Sequence, residues 1–544
     1  MKINKTIFAM AAAATLTMTG CNEDFLEIKP NDRLTLENYF TSESELQAAT
    51  SALYGKVWFD FNDKFYYALG DGRANNMFAP YSDYIYPFTN FTETSLTGPL
   101  VSAWASLYNV VGQSNNTINN INRLATGVTE ESKNTAIAEA RFMRGTAYWY
   151  LASLWGNVII IEDNSTLVNN PIVNTHPQKD VFEFAIRDLE FAAKHLPATA
   201  SQAGRLTKWS AYGMLSRVYL SYAGISDNTD RNDGVRDVTY LELARKAAQK
   251  VCEESELTLN KDYAHLFTIA GNNDPESLFA LQWVGGTTEY GITNTQQAYF
   301  AWNSEITGND AAWGYFTYAS WDMIQEYDTQ DTKRLHATFC TYGAKYPELN
   351  KAAGGYTYEA TDRCNIRKGV SGSTKDTEGV SARMNSGLTT KMLRLAEVYL
   401  NYAEAIMGNN TSTSDANALK YYNEVRKRAG METKSTITYD DLRYERRIEL
   451  AMEGQYWYDL VRRGYYRQQE VLNYMNDTQE RSVGYKWESN QYVIGNKNTA
   501  QQVATATAAS LLLPYPESEM VQNPLLKQTP VAYKFTEAPI NLFE

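Results

Sequence analysis

Residues 392–406 read MLRLAEVYLNYAEAI, and their spacing sets the fold class. Met392, Leu395, Ala396, Tyr399, Tyr402, Ala403 and Ile406 recur at i, i+3, i+4 and i+7, one apolar face of a helix that the pattern starts near Thr389. Two further helical stretches follow, Ala416 to Ala429 closed by Gly430, and Tyr439 to Arg463 closed by Gly464. Short connections between such helices predict antiparallel hairpins stacked side by side.

The same period governs the N-terminal half. Ser42 and Glu45 form a capping-box pattern ahead of Leu46, Ala49, Thr50 and Leu53. Helical runs then cover Trp104 to Ile121, Ala138 to Trp155, Val181 to Leu196 (stopped by Pro197), Trp209 to Ala223 and Tyr240 to Cys252. Small residues on the core faces, Ala147, Ala211, Gly213, Ala244 and Ala247, allow close helix approach. No strict 34-residue consensus is visible, so the repeats are degenerate. The prediction is a mainly α frame.

Between the two helical blocks the periodicity fades. Leu278 to Trp283 reads as a strand, and glycines, asparagines and aromatics fill the rest. The tail after Gly464 reads as irregular. The chain therefore divides into a leader, 1–20, and one domain, 21–544, made of a helical part (21–253), a loop-rich aromatic insert (254–388), a second helical part (389–464) and the tail (465–544). Long irregular segments inside a folded chain tend to carry function.

Composition narrows the function. The 544 residues carry a formal charge of −13, 44% hydrophobic residues and 13% aromatics. Mean hydropathy is −0.46. Scattered charge excludes a membrane bundle, and acidity argues against a nucleic-acid partner, whose phosphates need a basic face. Lys2 and Lys5, the apolar run Ile7 to Leu16, and Met18-Thr19-Gly20-Cys21 read as a secretory signal ending in a bacterial lipobox, with cleavage before Cys21 and lipidation of that residue. Asn22-Glu23-Asp24 resembles the acidic surface-export signal of Bacteroidetes lipoproteins. Of the remaining cysteines, Cys340 and Cys364 could bridge or stay buried as free thiols, and Cys252 is left over.

Catalytic motifs do not appear. None of the four histidines lies in an H-E-x-x-H pattern, and there is no G-x-S-x-G elbow, phosphate loop or C-x-x-C pair. Gly70-Asp71-Gly72 begins a G-x-G pattern, but Asn75 stands at the third glycine, which makes it a turn. Asp227 to Gly234 reads as a solvated acidic loop, since Thr229 and Tyr240 occupy the first and closing ligand positions of a calcium loop. Glu445, Glu449 and Glu453 among Arg446, Arg447 and Arg462 read as a buried ionic network. No catalytic residue, metal ligand or cofactor is assigned.

Aromatics crowd the non-helical parts. Residues 78–91 read FAPYSDYIYPFTNF, just after Asp71, Arg73, Asn75 and Asn76. Trp283, Tyr290, Tyr299, Phe300, Trp302, Trp313, Tyr315, Phe316 and Trp321 follow in the insert. Exposed rings stack on the apolar C–H face of a sugar, while Asn, Asp and Arg bond its hydroxyls.

With these stretches in hand, the chain resembles the SusD/RagB-like outer-membrane lipoproteins of Bacteroidetes. The resemblance rests on Asp24-Phe25-Leu26-Glu27 after the lipid cysteine, Trp104-x-x-x-Tyr108, Glu139 to Tyr148 (EARFMRGTAY) and Gly204 to Thr207 (GRLT) ahead of Tyr219-Leu220. Asp331 to Arg334 (DTKR), Leu393 to Ala405, Glu445 to Gly454 (ERRIELAMEG), Trp457 to Gly464 (WYDLVRRG) and Pro514-Tyr515-Pro516 to Asn523-Pro524 continue it. It implies an α-helical body of about four degenerate tetratricopeptide-like helix pairs with a loop-rich part and minor β. It further implies a non-catalytic, lipid-anchored cell-surface protein of the outer membrane. Such a protein captures oligosaccharides or polysaccharide for a SusC-like TonB-dependent transporter. A receptor for peptide or another nutrient, a structural lid of the transporter and, with less support, a surface glycosidase stay open as alternatives. By position and chemistry together, the expected glycan-binding residues are Asp71, Arg73, Asn75, Tyr84, Tyr86, Tyr290 and Trp302.

Overall fold

The computed structural model describes residues 39–225, 230–308, 311–477, 483–497 and 505–543. The lipobox, Cys21, the segment after it, and Asp227 and Asn228 lie outside them. The longer helices of the first block are α1 (Glu43–Ser51), α2 (Gly98–Leu124), α3 (Glu130–Trp155), α4 (Gln178–His195), α5 (Lys208–Ala223) and α6 (Val238–Glu254). Those of the second block are α7 (Leu395–Met407), α8 (Ala416–Ala429), α9 (Tyr439–Glu449) and α10 (Tyr456–Gly464). Each of α2 to α7 packs on the next, and α9 returns to α7. The stack thus runs from α6 into α7 across the whole insert. The capping box at Ser42 forms as read, and Asp415 caps α8 while Gly430 ends it at φ +84°. The small residues serve close packing: a Cβ on Gly213 would stand 3.0 Å from Leu393.

Sheets are small. β1 (Met77–Phe78) pairs antiparallel with β3 (Tyr318–Ala319), and β2 (Ser277–Leu281) with β4 (Thr390–Arg394). Two sequence expectations need correction here. Met392 and Leu393 belong to β4, not to the helix, because their backbone is taken by β2; α7 starts at Leu395. The helix expected over Tyr439 to Arg463 is two helices separated by a turn. In that turn Met452 (φ +63°) and Gly454 (φ +67°) are left-handed. Their N–H groups donate to the Asp71 carboxylate at 2.8 and 2.7 Å instead of continuing a helix. Gly454 is obligatory, since a Cβ there would meet the Tyr66 ring at 2.6 Å.

The tail is not wholly irregular: a helix (Gln468–Asp477) and the hairpin β5 (Val483–Glu488) with β6 (Gln491–Lys497) follow α10. Residues 505–543 then run back over α3 and α4. Leu513 N–H donates to Leu154, Val531 N–H to Thr175, and Arg141 grips Glu537 with two bonds of 2.6 and 2.7 Å.

The ionic network holds insert and second block together. Buried Arg394 reaches Glu276 (2.7 Å), Glu449 (2.9 Å) and Glu453 (2.6 Å). Arg428 reaches Glu276 and Glu449, and Arg334 reaches Asp331, Glu445 and Glu449. Such charges are stable inside protein only when every one is paired.

Candidate functional site

Four of the residues expected to touch a ligand are instead buried in the frame. Asp71 is fully enclosed: besides the two backbone N–H groups it accepts a 2.9 Å bond from Asn76 Nδ2. Burial pushes its carboxyl up to about 6 despite those bonds. Arg73 donates to Glu93 (2.7 Å) and the Ser510 carbonyl (2.8 Å), with its guanidinium over Phe91 and Trp457. Asn75, at φ +65°, donates to Asp322, while its carbonyl accepts from Ser320 Oγ (2.6 Å) and Arg447 (3.2 Å). Trp302 is buried, its Nε1 donating to Tyr356 Oη (3.1 Å) and its ring packed edgewise on Tyr356 and Tyr358. The expectation that these four face a glycan is corrected: Asp71, Arg73 and Asn75 hold the segment ahead of the rings from within, and Trp302 fills the core against Tyr356 and Tyr358. Tyr86 is half-buried at the start of a short helix, Tyr86–Thr89.

Tyr84 and Tyr290 are 50% and 65% exposed, and they do come together with a residue that sequence reasoning did not single out, Trp313, 48% exposed. The ribbon β1–β3 is the cause, for it sets the stretch after Phe78 beside the stretch before Tyr318. At the centre lies Lys64, in a π-helical turn (Phe61–Phe65). Its ammonium stands 5.0 Å from the Tyr84 ring centre and 5.3 Å from that of Tyr299. Tyr299 in turn packs on Trp313 at 5.5 Å, and Arg383 stands 4.7 Å from the same indole. Tyr290 rests edgewise on Phe59 at 4.6 Å.

The lysine beneath the rings is paired. Lys64 contacts Asp63, which also accepts a 2.5 Å bond from Thr295 Oγ1. Burial opposes the Lys64 ammonium, but Asp63 outweighs it and holds the group above the ordinary lysine range. Asp60 is exposed nearby, its carboxyl raised by burial and by Asp63. The arrangement is an open aromatic surface with carboxylate, ammonium and guanidinium groups between its rings. It suits stacking and hydroxyl bonding. Trp313 is flagged in sequence only by ring density around Gly314, and Lys64 by nothing, since its role depends on a π turn.

Elsewhere, Cys340 and Cys364 are buried free thiols, and burial pushes Cys364 up to about 12. Among the described residues no cluster of His, Cys, Asp and Glu could hold a metal ion, and no helix is long and apolar enough to cross a membrane.

Comparison with known proteins agrees with this architecture. A family model described as the SusD family matches residues 275–531, and one described as starch-binding and associating with the outer membrane matches 24–220. A SusD-like protein of Bacteroides ovatus is 40% identical, covering 98% of this chain and 99% of that protein. The starch-binding protein SusD of Bacteroides thetaiotaomicron is 25% identical, covering 64% of this chain and 67% of that protein. A crystal structure with xylogluco-oligosaccharide is 41% identical, with a TM-score of 0.83, covering 90% of this chain and 100% of that one. Identity of 40% over nearly the whole of both chains, with family models matching both halves, shows that the chain belongs to the SusD-like family.

Proposed function

We propose that the chain is a cell-surface glycan-binding lipoprotein, anchored through Cys21, that captures oligosaccharide or polysaccharide on the Tyr84–Tyr290–Trp313 surface and delivers it to a SusC-like TonB-dependent transporter. The observation that carries the reading is three exposed rings held by buried partners and by flanking cations. Rings fixed before binding lose little freedom when a sugar stacks on them, and each buries apolar C–H surface. Asp60 and Arg383 beside the rings supply an acceptor and donors for hydroxyls. An open surface leaves much of the ligand hydrated, so modest affinity follows. The relative with xylogluco-oligosaccharide supports xyloglucan as the ligand class.

Affinity electrophoresis of residues 22–544 against xyloglucan and a panel of plant, microbial and host polysaccharides tests this. Retardation by xyloglucan that is reduced about five-fold or more in Trp313→Ala or Tyr290→Ala is the expected result. Migration unaffected by every polysaccharide refutes it. Co-purification of a TonB-dependent transporter from native membranes tests the delivery step.

A further inference from the structure

We propose that the ring surface continues into a second station, formed by Tyr81, Tyr315 and Phe316 over Arg363, so that a polysaccharide strand is held along both. The inference rests on the glycan reading above and extends it from a patch to a track.

Tyr81, Tyr315 and Phe316 are 71%, 49% and 44% exposed, and they touch one another. The ring centres of Tyr81 and Phe316 are 4.7 Å apart, and those of Tyr315 and Phe316 4.8 Å, both edge to face. Exposed rings in contact form an apolar patch of the kind that marks an interaction site. The station repeats the construction of the first. There Lys64, paired with its chain neighbour Asp63, supports exposed Tyr84. Here Arg363, paired with its chain neighbour Asp362 at 2.6 and 2.8 Å, lies 4.1 Å from Tyr315 and 5.3 Å from Phe316. Lys64 and Arg363 are each neutralised by the neighbouring aspartate. That suits a neutral sugar. Asp362 is 59% exposed and presents acceptors beside the rings.

The ring-bearing loop is locked although its rings are in solvent. Asn365 Nδ2 donates to the carbonyls of Gly314, Tyr315 and Thr317 at 2.9, 3.1 and 3.0 Å, and Asn365 is itself held by Tyr358 Oη at 2.6 Å. Gly314 N–H donates to Ala301, and a Cβ at Gly314 would lie 2.3 Å from the Phe300 backbone. Packing gains nothing from fixing solvent-facing rings; binding does, because the ordering cost is met beforehand.

Continuity tells what occupies the second station. Two loops each give a ring to both stations: Tyr81 and Tyr84 are three residues apart, as are Trp313 and Phe316. Three residues span at most about 11 Å. A strand lying on Tyr84 and Trp313 therefore meets Tyr81 and Phe316 within a short run of sugar rings.

Titration calorimetry with a single-repeat xylogluco-oligosaccharide and with xyloglucan polymer separates the two stations. Tyr81→Ala combined with Phe316→Ala removes only exposed side chains, and an unchanged urea midpoint verifies folding. The expected result is oligosaccharide affinity within about two-fold of the parent and polymer affinity lower by about five-fold or more. Tyr290→Ala combined with Trp313→Ala weakens both probes. Polymer binding unchanged in the first double variant but lost in the second overturns the second station and leaves the first standing. Equal weakening of both probes by the first double variant makes the rings one site and also overturns it. A parent protein that binds neither probe overturns both readings.

Discussion

Glu449 is the test of how much the ionic core contributes. It is fully buried, with Oε1 2.5 Å from Arg428 and 2.9 Å from Arg394, and Oε2 3.3 Å from Arg334. Burial raises its carboxyl, but the three guanidiniums outweigh that and hold it at about 2, against 4.5 for a free glutamate. The difference corresponds to about 3 kcal/mol of preference for the charged form. Glu449→Gln keeps the shape and removes the charge, leaving Arg394 with Glu276 and Glu453, Arg428 with Glu276, and Arg334 with Asp331 and Glu445. Loss of one partner from a buried pair costs about 3–5 kcal/mol, which agrees with the value from the titration. The sign follows from the depressed pKa. This contribution is present above the unfolded value near 4.5 and is lost as pH falls toward 2, so parent and variant converge in acid, to about 1 kcal/mol apart near pH 3. Urea unfolding of both proteins at pH 7 and pH 3 reads the gap directly. A gap below about 1 kcal/mol at pH 7, or one that does not shrink on acidification, refutes the reasoning.

Two further predictions separate frame from surface. Asp71→Asn leaves one of the two bound N–H groups facing an amide, at a cost of about 1–3 kcal/mol that does not vary with pH. The parent's raised carboxyl favours folding below about 3.8 and loses about 3 kcal/mol as pH rises through about 6, so the variant's deficit in urea unfolding narrows between pH 4 and pH 7; a constant deficit refutes this. Trp302→Ala empties a buried site and lowers stability by about 3–5 kcal/mol, while the folded protein keeps its glycan affinity within about two-fold; calorimetry below the unfolding range reads both, and lost affinity at unchanged stability would return Trp302 to the binding surface.

Helix α8 was legible in full because everything that defines it is local: Asp415 before it, a clean apolar face, and Gly430 after it. The start of α7 was not. Thr390–Arg394 is buried on both sides, so its apolar residues extend the helical stripe by coincidence, and the partner that makes it a strand, Ser277–Leu281, is distant in sequence. The break after Glu449 was hidden for the same reason, since Asp71 makes it from the other end of the chain.

Polar residues beside aromatics read alike whether they bind a ligand or hold the loop that does. Asp71, Arg73 and Asn75 belong to the second kind. Arg447 and Ser320 converge on the Asn75 carbonyl, and β1 and β3 pair directly beyond it, which fixes Tyr81 and Tyr84 against Trp313 and Phe316. Arg447 is carried by α9, so the rings in solvent are positioned by the same helix that supplies Glu445 and Glu449 to the ionic core. On the glycan reading proposed above, the composition of the ring surface can change while the buried polar set beneath it stays, and a change of ligand needs only new side chains at Tyr84, Tyr290, Trp313 and their neighbours. That division explains why motifs announced the frame clearly and the proposed binding surface only as a density of rings.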